Sequence, residues 1–188
     1  KSAAAGGNTT ILPFAMQIKG QSLRKCVEDY HKKAQGNMYI DTSFHLIISD
    51  PTPQVLGQEL PALSKDGYTS FKVFMTYDDL VLNDKELIEV FDVAKQLKTL
   101  VMVHAEGYDS IKYLSDKFEK EGKTAPYYHA PTRPQIVERE ATHRAISHAQ
   151  IVDIPLMIVH VSGEEALNQI RWAKDKGIKV FSETCPQY

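Results

Sequence analysis

Short apolar runs rich in β-branched residues alternate along the chain with segments in which apolar residues recur every three or four positions. The short runs are typical of buried strands, and the three-to-four spacing is typical of amphipathic helices. Six runs are predicted to form strands: Ile11–Ala15, Tyr39–Ile48, Phe71–Met75, Leu100–His104, Leu156–Val161 and Lys179–Ser182.

Three segments carry clear helical stripes, and capping signals precede them. The segments Asn83–Glu86 and Ser162–Glu165 have the spacing of a capping box. Thr132 is a candidate cap before Pro134, a residue that is tolerated in a first helical turn. Gly177 is placed where a glycine commonly ends a helix. The predicted helices are Lys85–Lys98, Gln135–Gln150 and Glu164–Lys176.

This alternation of strands and helices favours a parallel sheet, and the nearly uniform apolarity of the strands indicates that both of its faces are covered. Two architectures fit: a doubly wound open sheet, or part of a (β/α)8 barrel, which usually needs about 250 residues. A Gly-x-Gly-x-x-Gly turn and a Walker-type phosphate loop are both absent from the sequence. The nucleotide-binding interpretation of an open sheet therefore loses its main support.

Composition narrows the class of protein further. The chain has 188 residues, 43% of them hydrophobic, which excludes a disordered or collagen-like chain. With 22 Lys and Arg against 24 Asp and Glu, it has a net charge of -2. It therefore lacks the excess of positive charge that is typical of nucleic-acid-binding proteins. No apolar run approaches the roughly 20 residues of a spanning helix, so no membrane association is expected.

Three predicted strands carry an ionisable residue where an apolar one would pack better. Lys72 lies inside one strand, and His104 and His160 lie at the carboxyl ends of two others. Barrels of this class place their chemistry at that end, and neutral imidazoles that converge from separate strands are natural ligands for zinc. The alternatives are a lysine that points outward at a sheet edge and histidines that are hydrogen-bonded in the core. Spacing alone leaves these alternatives open.

The cysteines and the remaining histidines are assigned ordinary roles. Cys185 could be a nucleophile, but no base is identifiable beside it, and a small buried thiol is the preferred interpretation. Only two cysteines occur, which fits a reducing compartment, and a cytoplasmic location is expected. The other histidines are interpreted as structural or solvated: His31, His45, His129, His143 and His148.

Several segments, in order along the whole chain, resemble the dihydropyrimidinase/hydantoinase family of the amidohydrolase superfamily. The strongest are SFKVFMTY at 70–77, HAE at 104–106, HVS at 160–162 and ETCPQY at 183–188. The entry GGNTT at 6–10 and the segment HAPTRP at 129–134, with Glu138, Glu140 and Ala141 after it, are similar too. One departure is Gly107, where many relatives carry Asn.

The resemblance implies a zinc-dependent hydrolase that opens the ring of a cyclic amide through a bridging hydroxide. Lys72 would be carboxylated on its amine and would bridge two zinc ions per subunit, and His104 and His160 would be ligands of the second zinc. Tyr77, in the loop after the strand of Lys72, would donate a hydrogen bond to the oxyanion. A homotetramer acting on a small cyclic amide is the expectation that follows from the family.

The resemblance also implies a fold of which this sequence holds only part. The six predicted strands would be strands 2–7 of a (β/α)8 TIM-type barrel, and residues 1–188 would be the central portion of a metal-dependent hydrolase barrel domain. The family's His-x-His pair and its catalytic aspartate have no counterpart in the sequence. Since the chain begins with Lys1, we expect an excerpt of a longer chain.

Several functions share this pattern. Ring opening of a dihydropyrimidine is the preferred activity, and a hydantoinase, allantoinase or dihydroorotase would use a similar core. A non-enzymatic scaffold like the collapsin response mediator proteins is a different class, which the retention of Lys72, His104 and His160 argues against. A small binding module that folds on its own is a third possibility.

Overall fold

Strands and helices alternate along the chain, and the computed structural model describes all 188 residues. The strands are β1 (Thr10–Ile11), β2 (Phe14–Met16), β3 (Asp41–Thr42), β4 (His45–Ile47), β5 (Ser70–Phe74), β6 (Leu100–His104), β7 (Leu156–Ile158) and β8 (Val180–Ser182). The helices are α1 (Ser2–Ala5), α2 (Leu23–Ala34), α3 (Leu60–Lys65), α4 (Asp84–Leu97), α5 (Tyr108–Lys120), α6 (Gln135–Val152) and α7 (Glu164–Asp175). A π-helical turn, Val55–Glu59, leads into α3, and a 3-10 turn, Pro126–His129, lies between α5 and α6.

Six strands form one parallel sheet in the order β2-β4-β5-β6-β7-β8, and β1 pairs with β3 in a separate two-stranded sheet. The predicted strands Ile11–Ala15 and Tyr39–Ile48 are therefore each divided between the two sheets. Pro13 lies at one division because it has no amide hydrogen for a ladder, although its carbonyl still accepts from the His45 amide at 3.0 Å. The other four predicted strands are present within a few residues of their expected bounds.

The two faces of the sheet have different surroundings. One face packs against the helices, and its central row is fully buried: Ala15, Leu46, Phe71, Val101, Leu156 and Val180. The neighbouring row on the opposite face consists of Met16, Ile47, Lys72, Met102, Met157 and Phe181. That face is covered in the middle of the sheet but open at its edges, where Met16 is 44% and Phe181 55% exposed. The expectation of two covered faces thus holds only for the helical side.

The helices form a layer in which small residues allow close approach. α6 packs between α4 and α7, and its contacting face is rich in alanine. The buried alanines of this layer are Ala94, Ala141, Ala145, Ala149, Ala166 and Ala173. None of the helices combines the length and the apolar character that a membrane-spanning segment requires.

One of the three predicted helix caps is present as expected. The Asn83 side chain accepts from the Glu86 amide at 3.0 Å, and the Glu86 carboxylate accepts from the Asn83 amide at 2.8 Å. The prediction for Thr132 is wrong, because its hydroxyl donates to the His129 carbonyl and α6 begins after Pro134.

The predicted capping box at Ser162–Glu165 is also wrong. Gly163 is the residue that precedes α7, and no side chain of that segment caps the helix. A carboxylate from α6, Glu138, accepts from the amides there instead. Gly177 follows α7 with φ of +77°, as predicted for a helix end.

Candidate active site

Lys72 lies at the centre of the sheet, on the face opposite the helices. β5 is flanked by β4 and β6, so the alternative that Lys72 points outward at a sheet edge is wrong. The residue is only 3% exposed, and its ammonium nitrogen lies 4.7 Å from the centre of the Phe74 ring and 5.4 Å from that of Phe14. Burial lowers the pKa of Lys72 to about 8, a shift that the Glu183 carboxylate opposes. The neutral amine is therefore much more populated than in an exposed lysine.

Two histidine rings meet at the carboxyl ends of neighbouring strands. His104 is the last residue of β6, and His160 follows β7 by two positions. Nδ1 of His104 and Nε2 of His160 are 2.9 Å apart, and the ring centres are 4.5 Å apart. The predicted strand Leu156–Val161 ends early, at Ile158, and the chain turns at His160, whose φ is +40°.

The His160 ring is held in its neutral form. Burial, with smaller contributions from His104 and Lys72, lowers the pKa of His160 to about 4. A neutral imidazole is the form that binds a metal ion. Lys72 and His104 are on the same face of neighbouring strands, and both approach the Phe74 ring, the lysine at 4.7 Å and the imidazole at 5.4 Å from its centre.

Glu106 fixes the orientation of the His104 ring. Its carboxylate contacts Nε2 of His104 at 2.7 Å, which leaves Nδ1 directed at His160. Burial acts to raise the pKa of Glu106, but the hydrogen bond to His104 and the charge of groups nearby, Arg133 among them, outweigh it, so that the pKa is lowered. A carboxylate behind a histidine in this way sets both tautomer and direction, as it does around metal sites.

Tyr77 brings a phenol to the same place. Its backbone is left-handed, with φ of +73°, and its ring centre lies 5.1 Å from that of His104. Phe74 stacks on His104 from the adjacent strand at 5.4 Å. Burial, together with the negative charge of Glu106, raises the pKa of Tyr77, so the phenol keeps its proton at neutral pH.

A cleft of about 430 Å³ lies at the carboxyl ends of the strands. Its lining includes Phe74, Tyr77, His104, Glu106, Arg133, Glu138, His160 and Tyr188, but not Lys72. A second cleft, of about 720 Å³, lies on the other side of Tyr77 and Arg133. Cys185 does not line the first cleft, and the prediction that it is buried is wrong, since it is only half-buried.

No protein-family model matches the chain. The chain is 47% identical over 188 residues to a D-hydantoinase of Ralstonia pickettii, a match that covers all of this chain and 41% of that protein. It is 38% identical over 185 residues to the dihydropyrimidinase of Rattus norvegicus, covering 97% of this chain and 36% of that protein. The crystal structure of dihydropyrimidinase from Brevibacillus agri NCHU1002 matches with a TM-score of 0.96 at 44% identity, over 100% of this chain and 41% of that one. The chain belongs to the hydantoinase/dihydropyrimidinase family.

Membership of the hydantoinase/dihydropyrimidinase family decides between the two predicted architectures. The structure of the chain superposes on the family's structures along its whole length, which confirms the prediction of part of a (β/α)8 barrel. A doubly wound sheet would carry helices on both faces, whereas the face that holds Lys72 carries none, so that alternative is wrong. The chain spans about 41% of the length of the D-hydantoinases of Ralstonia pickettii and Rhizobium radiobacter that it matches.

In this hydantoinase-type chain, the residues that are present could form only part of a metal site, but their donor atoms are of the kind that zinc binds. No three His, Cys, Asp or Glu side chains come together in a metal-binding arrangement. What the fold does bring together is two imidazoles, with Lys72 on the same face of the adjacent strand β5. Glu106 as a partner of the ring was missed from the sequence, although its position two residues after His104 was a usable signal.

Proposed function

We propose that the protein is a zinc-dependent cyclic amidohydrolase that opens the 5,6-dihydropyrimidine ring and converts dihydrouracil into N-carbamoyl-β-alanine. The relatives named D-hydantoinase and dihydropyrimidinase support this class of reaction. The single observation that carries the proposal is the pair of imidazole nitrogens, 2.9 Å apart, at the ends of neighbouring strands, with a buried lysine on the same face of the next strand.

Lys72, His104 and His160 would hold two zinc ions. Neutral imidazoles suit zinc, and two such nitrogens already face each other from different strands. A protonated lysine cannot bind a cation, so Lys72 would first be carboxylated. Its neutral amine would attack the carbon of CO2, and loss of one N–H proton to water would leave a carbamate with one negative charge. Carboxylated Lys72 would then offer anionic oxygen donors to the zinc ions.

Bound zinc would supply Lewis acidity and an activated water at neutral pH. The residues of this chain would orient and stabilise what reacts there. Tyr77 would donate its phenolic proton in a hydrogen bond to the carbonyl oxygen that becomes an oxyanion as the ring amide is attacked. A phenol is protonated at neutral pH, and burial raises the pKa of Tyr77 further, so its O–H is available to donate. Glu106 would keep Nδ1 of His104 directed at the metal.

Hydrolysis of a five-membered cyclic ureide is the second candidate. It is favoured by the 47% identity to a D-hydantoinase, against 38% to a dihydropyrimidinase. Both rings contain an amide next to a ureido nitrogen, so the same donors would serve either reaction.

Ring opening by the complete protein tests the proposal. Dihydrouracil and a 5-substituted hydantoin are supplied in parallel, before and after removal of metal with a chelator, and then with zinc restored. We expect turnover that the chelator abolishes and zinc recovers, and the ratio of kcat/KM for the two rings assigns the preferred substrate. A protein that binds no zinc and opens neither ring would contradict the proposal and favour a non-enzymatic scaffold.

A further inference from the structure

The loop between β7 and α7 carries His160 and is held by a carboxylate from a different helix. We infer that Glu138, on α6, is a positioning residue that fixes the His160 backbone and thereby directs the imidazole toward the metal. The inference rests on the proposed function, because His160 is a metal ligand only there. Glu138 also lines the cleft, but its hydrogen bonds go to Ser162 and Gly163 and not to the His160 ring.

The Glu138 carboxylate accepts three hydrogen bonds from this loop. The Ser162 amide donates to Oε1 at 2.9 Å, the Gly163 amide donates to Oε2 at 2.7 Å, and the Ser162 hydroxyl donates to Oε2 at 3.0 Å. Bonds to a charged acceptor are stronger than neutral ones, and the acceptor sits at the positive end of α7. The loop is thereby tied to α6 two and three residues after His160.

His160 needs such support because its own backbone is unfavourable. Its φ of +40° lies in the left-handed region that residues with a side chain rarely adopt, and such a conformation persists only where its surroundings fix it. The Val161 amide donates to the Glu183 carbonyl at 2.8 Å, which holds the loop on the side of β8. Glu138 supplies the fixation on the other side.

The Glu138 carboxylate lies so close to Gly163 that only a residue without a side chain fits there. A Cβ at this position would lie 2.8 Å from Oε2 of Glu138, closer than a real Cβ contact allows. Its φ of -99° is open to any residue, so an alanine here would displace the carboxylate without straining the backbone.

The two histidines are thus oriented in different ways. His104 has Glu106 directly on its ring, whereas no carboxylate contacts the ring of His160. The direction of the His160 imidazole is therefore set through its backbone, and Glu138 is the side chain that fixes that backbone from α6.

The test uses the complete protein with zinc, and with cobalt(II) as a spectroscopic probe. The variants are Glu138→Gln, Gly163→Ala and, as a matched control, Glu140→Gln. Glu140 lies on the same helix and pairs with Arg144 instead of the loop. Zinc affinity is measured by titration of the metal-free protein, the cobalt(II) absorption spectrum reports ligand geometry, and hydrogen exchange follows the amides of Ser162 and Gly163.

We expect Glu138→Gln to weaken binding of the second zinc by about 10- to 100-fold, to change the cobalt(II) spectrum and to speed exchange at both amides. Gly163→Ala should act in the same direction although the carboxylate is intact, and it serves as the test if Glu138→Gln does not fold. Glu140→Gln should behave as the wild type. Unchanged zinc affinity and cobalt(II) spectrum in Glu138→Gln or Gly163→Ala would overturn the inference while the proposed function stands. A wild-type protein that binds no zinc would overturn the proposed function itself.

Discussion

Two candidate site residues adopt backbone conformations that are costly for residues with a side chain. Tyr77 has φ of +73° and His160 has φ of +40°. Each such conformation costs about 1–3 kcal/mol and is found most often at functional sites. Both residues follow strands of the same sheet, and both line the same cleft. The left-handed turn after each strand is what presents the phenol and the imidazole to a common point.

Substitution of Tyr77 by phenylalanine should lower kcat for ring opening by about 100- to 1,000-fold, because one donor to the oxyanion is lost. The ring would keep its contacts with Phe74 and His104, so the zinc content should not change. Steady-state kinetics and metal analysis of the complete protein measure both quantities. Tyr113→Phe, at an exposed position on α5, is the control and should leave kcat intact. Wild-type kcat in Tyr77→Phe would exclude the phenol from the reaction.

Among the helices, α4 has the most completely defined beginning. Asn83 and Glu86 form reciprocal hydrogen bonds at its N-terminus, and Asp84 adds a negative charge to the first turn. The buried face of α4 packs against β6. The residue at which α4 begins therefore determines which of its side chains point into the core. A cap at this end stabilises tertiary packing as well as the helix.

Asn83→Ala should therefore lower the free energy of unfolding by about 1 kcal/mol, since the Glu86 amide loses its acceptor. Urea unfolding of the complete protein, followed by circular dichroism, measures the change. Asn83→Asp keeps an acceptor at the same position and should be close to the wild type. Equal losses in the two variants would show that the cap is not what Asn83 contributes.

Elements with a strong local signal could be predicted from the sequence, and elements defined by pairing could not. β6 carries a continuous apolar run, β5 a run that only Lys72 interrupts, and α4 a full apolar stripe; each is predicted within a few residues. The division of the first two predicted strands depends on which neighbour each half pairs with, which local apolarity does not encode. The sequence does not predict α2, because its buried residues are only Leu23, Cys26 and Val27, and so few buried positions leave no long apolar stripe.

At the scale of the whole molecule, the two faces of the sheet have different roles: one packs against the helices and the other carries the candidate ligands. The face toward the helices is apolar and buried, while the opposite face carries Lys72 and ends at the histidine pair. Because side chains alternate along a strand, the register places Lys72 and His104 on the face away from the helices. His160 lies two residues beyond β7, and the left-handed turn there brings its ring to His104. The positions of Lys72, His104 and His160 could be predicted from their odd placement in strands. The hydrogen bonds of Glu138 to Ser162 and Gly163 could not, because they join residues 24 and 25 positions apart that only the fold brings together.

The helical layer should tolerate little added volume. Ala145 on α6 is fully buried where small side chains let the helices approach closely. Ala145→Leu should lower the free energy of unfolding by about 1–3 kcal/mol, because the added atoms have no space. Gln150→Leu, at an exposed position near the end of the same helix, should change it by less than about 0.5 kcal/mol. A neutral effect of Ala145→Leu in urea unfolding would contradict the close packing of this layer.

The most direct test of the central claim is the zinc content and ring-opening activity of Lys72→Ala in the complete protein. A methyl group can be neither carboxylated nor a bridge between metals, so we expect bound zinc and turnover of dihydrouracil and of a 5-substituted hydantoin to be lost together. Lys85→Ala, which removes a lysine whose side chain is 83% exposed, is the matched control and should keep both. Wild-type zinc content and turnover in Lys72→Ala would contradict the assignment of Lys72 and, with it, the metal site on which the proposed function depends.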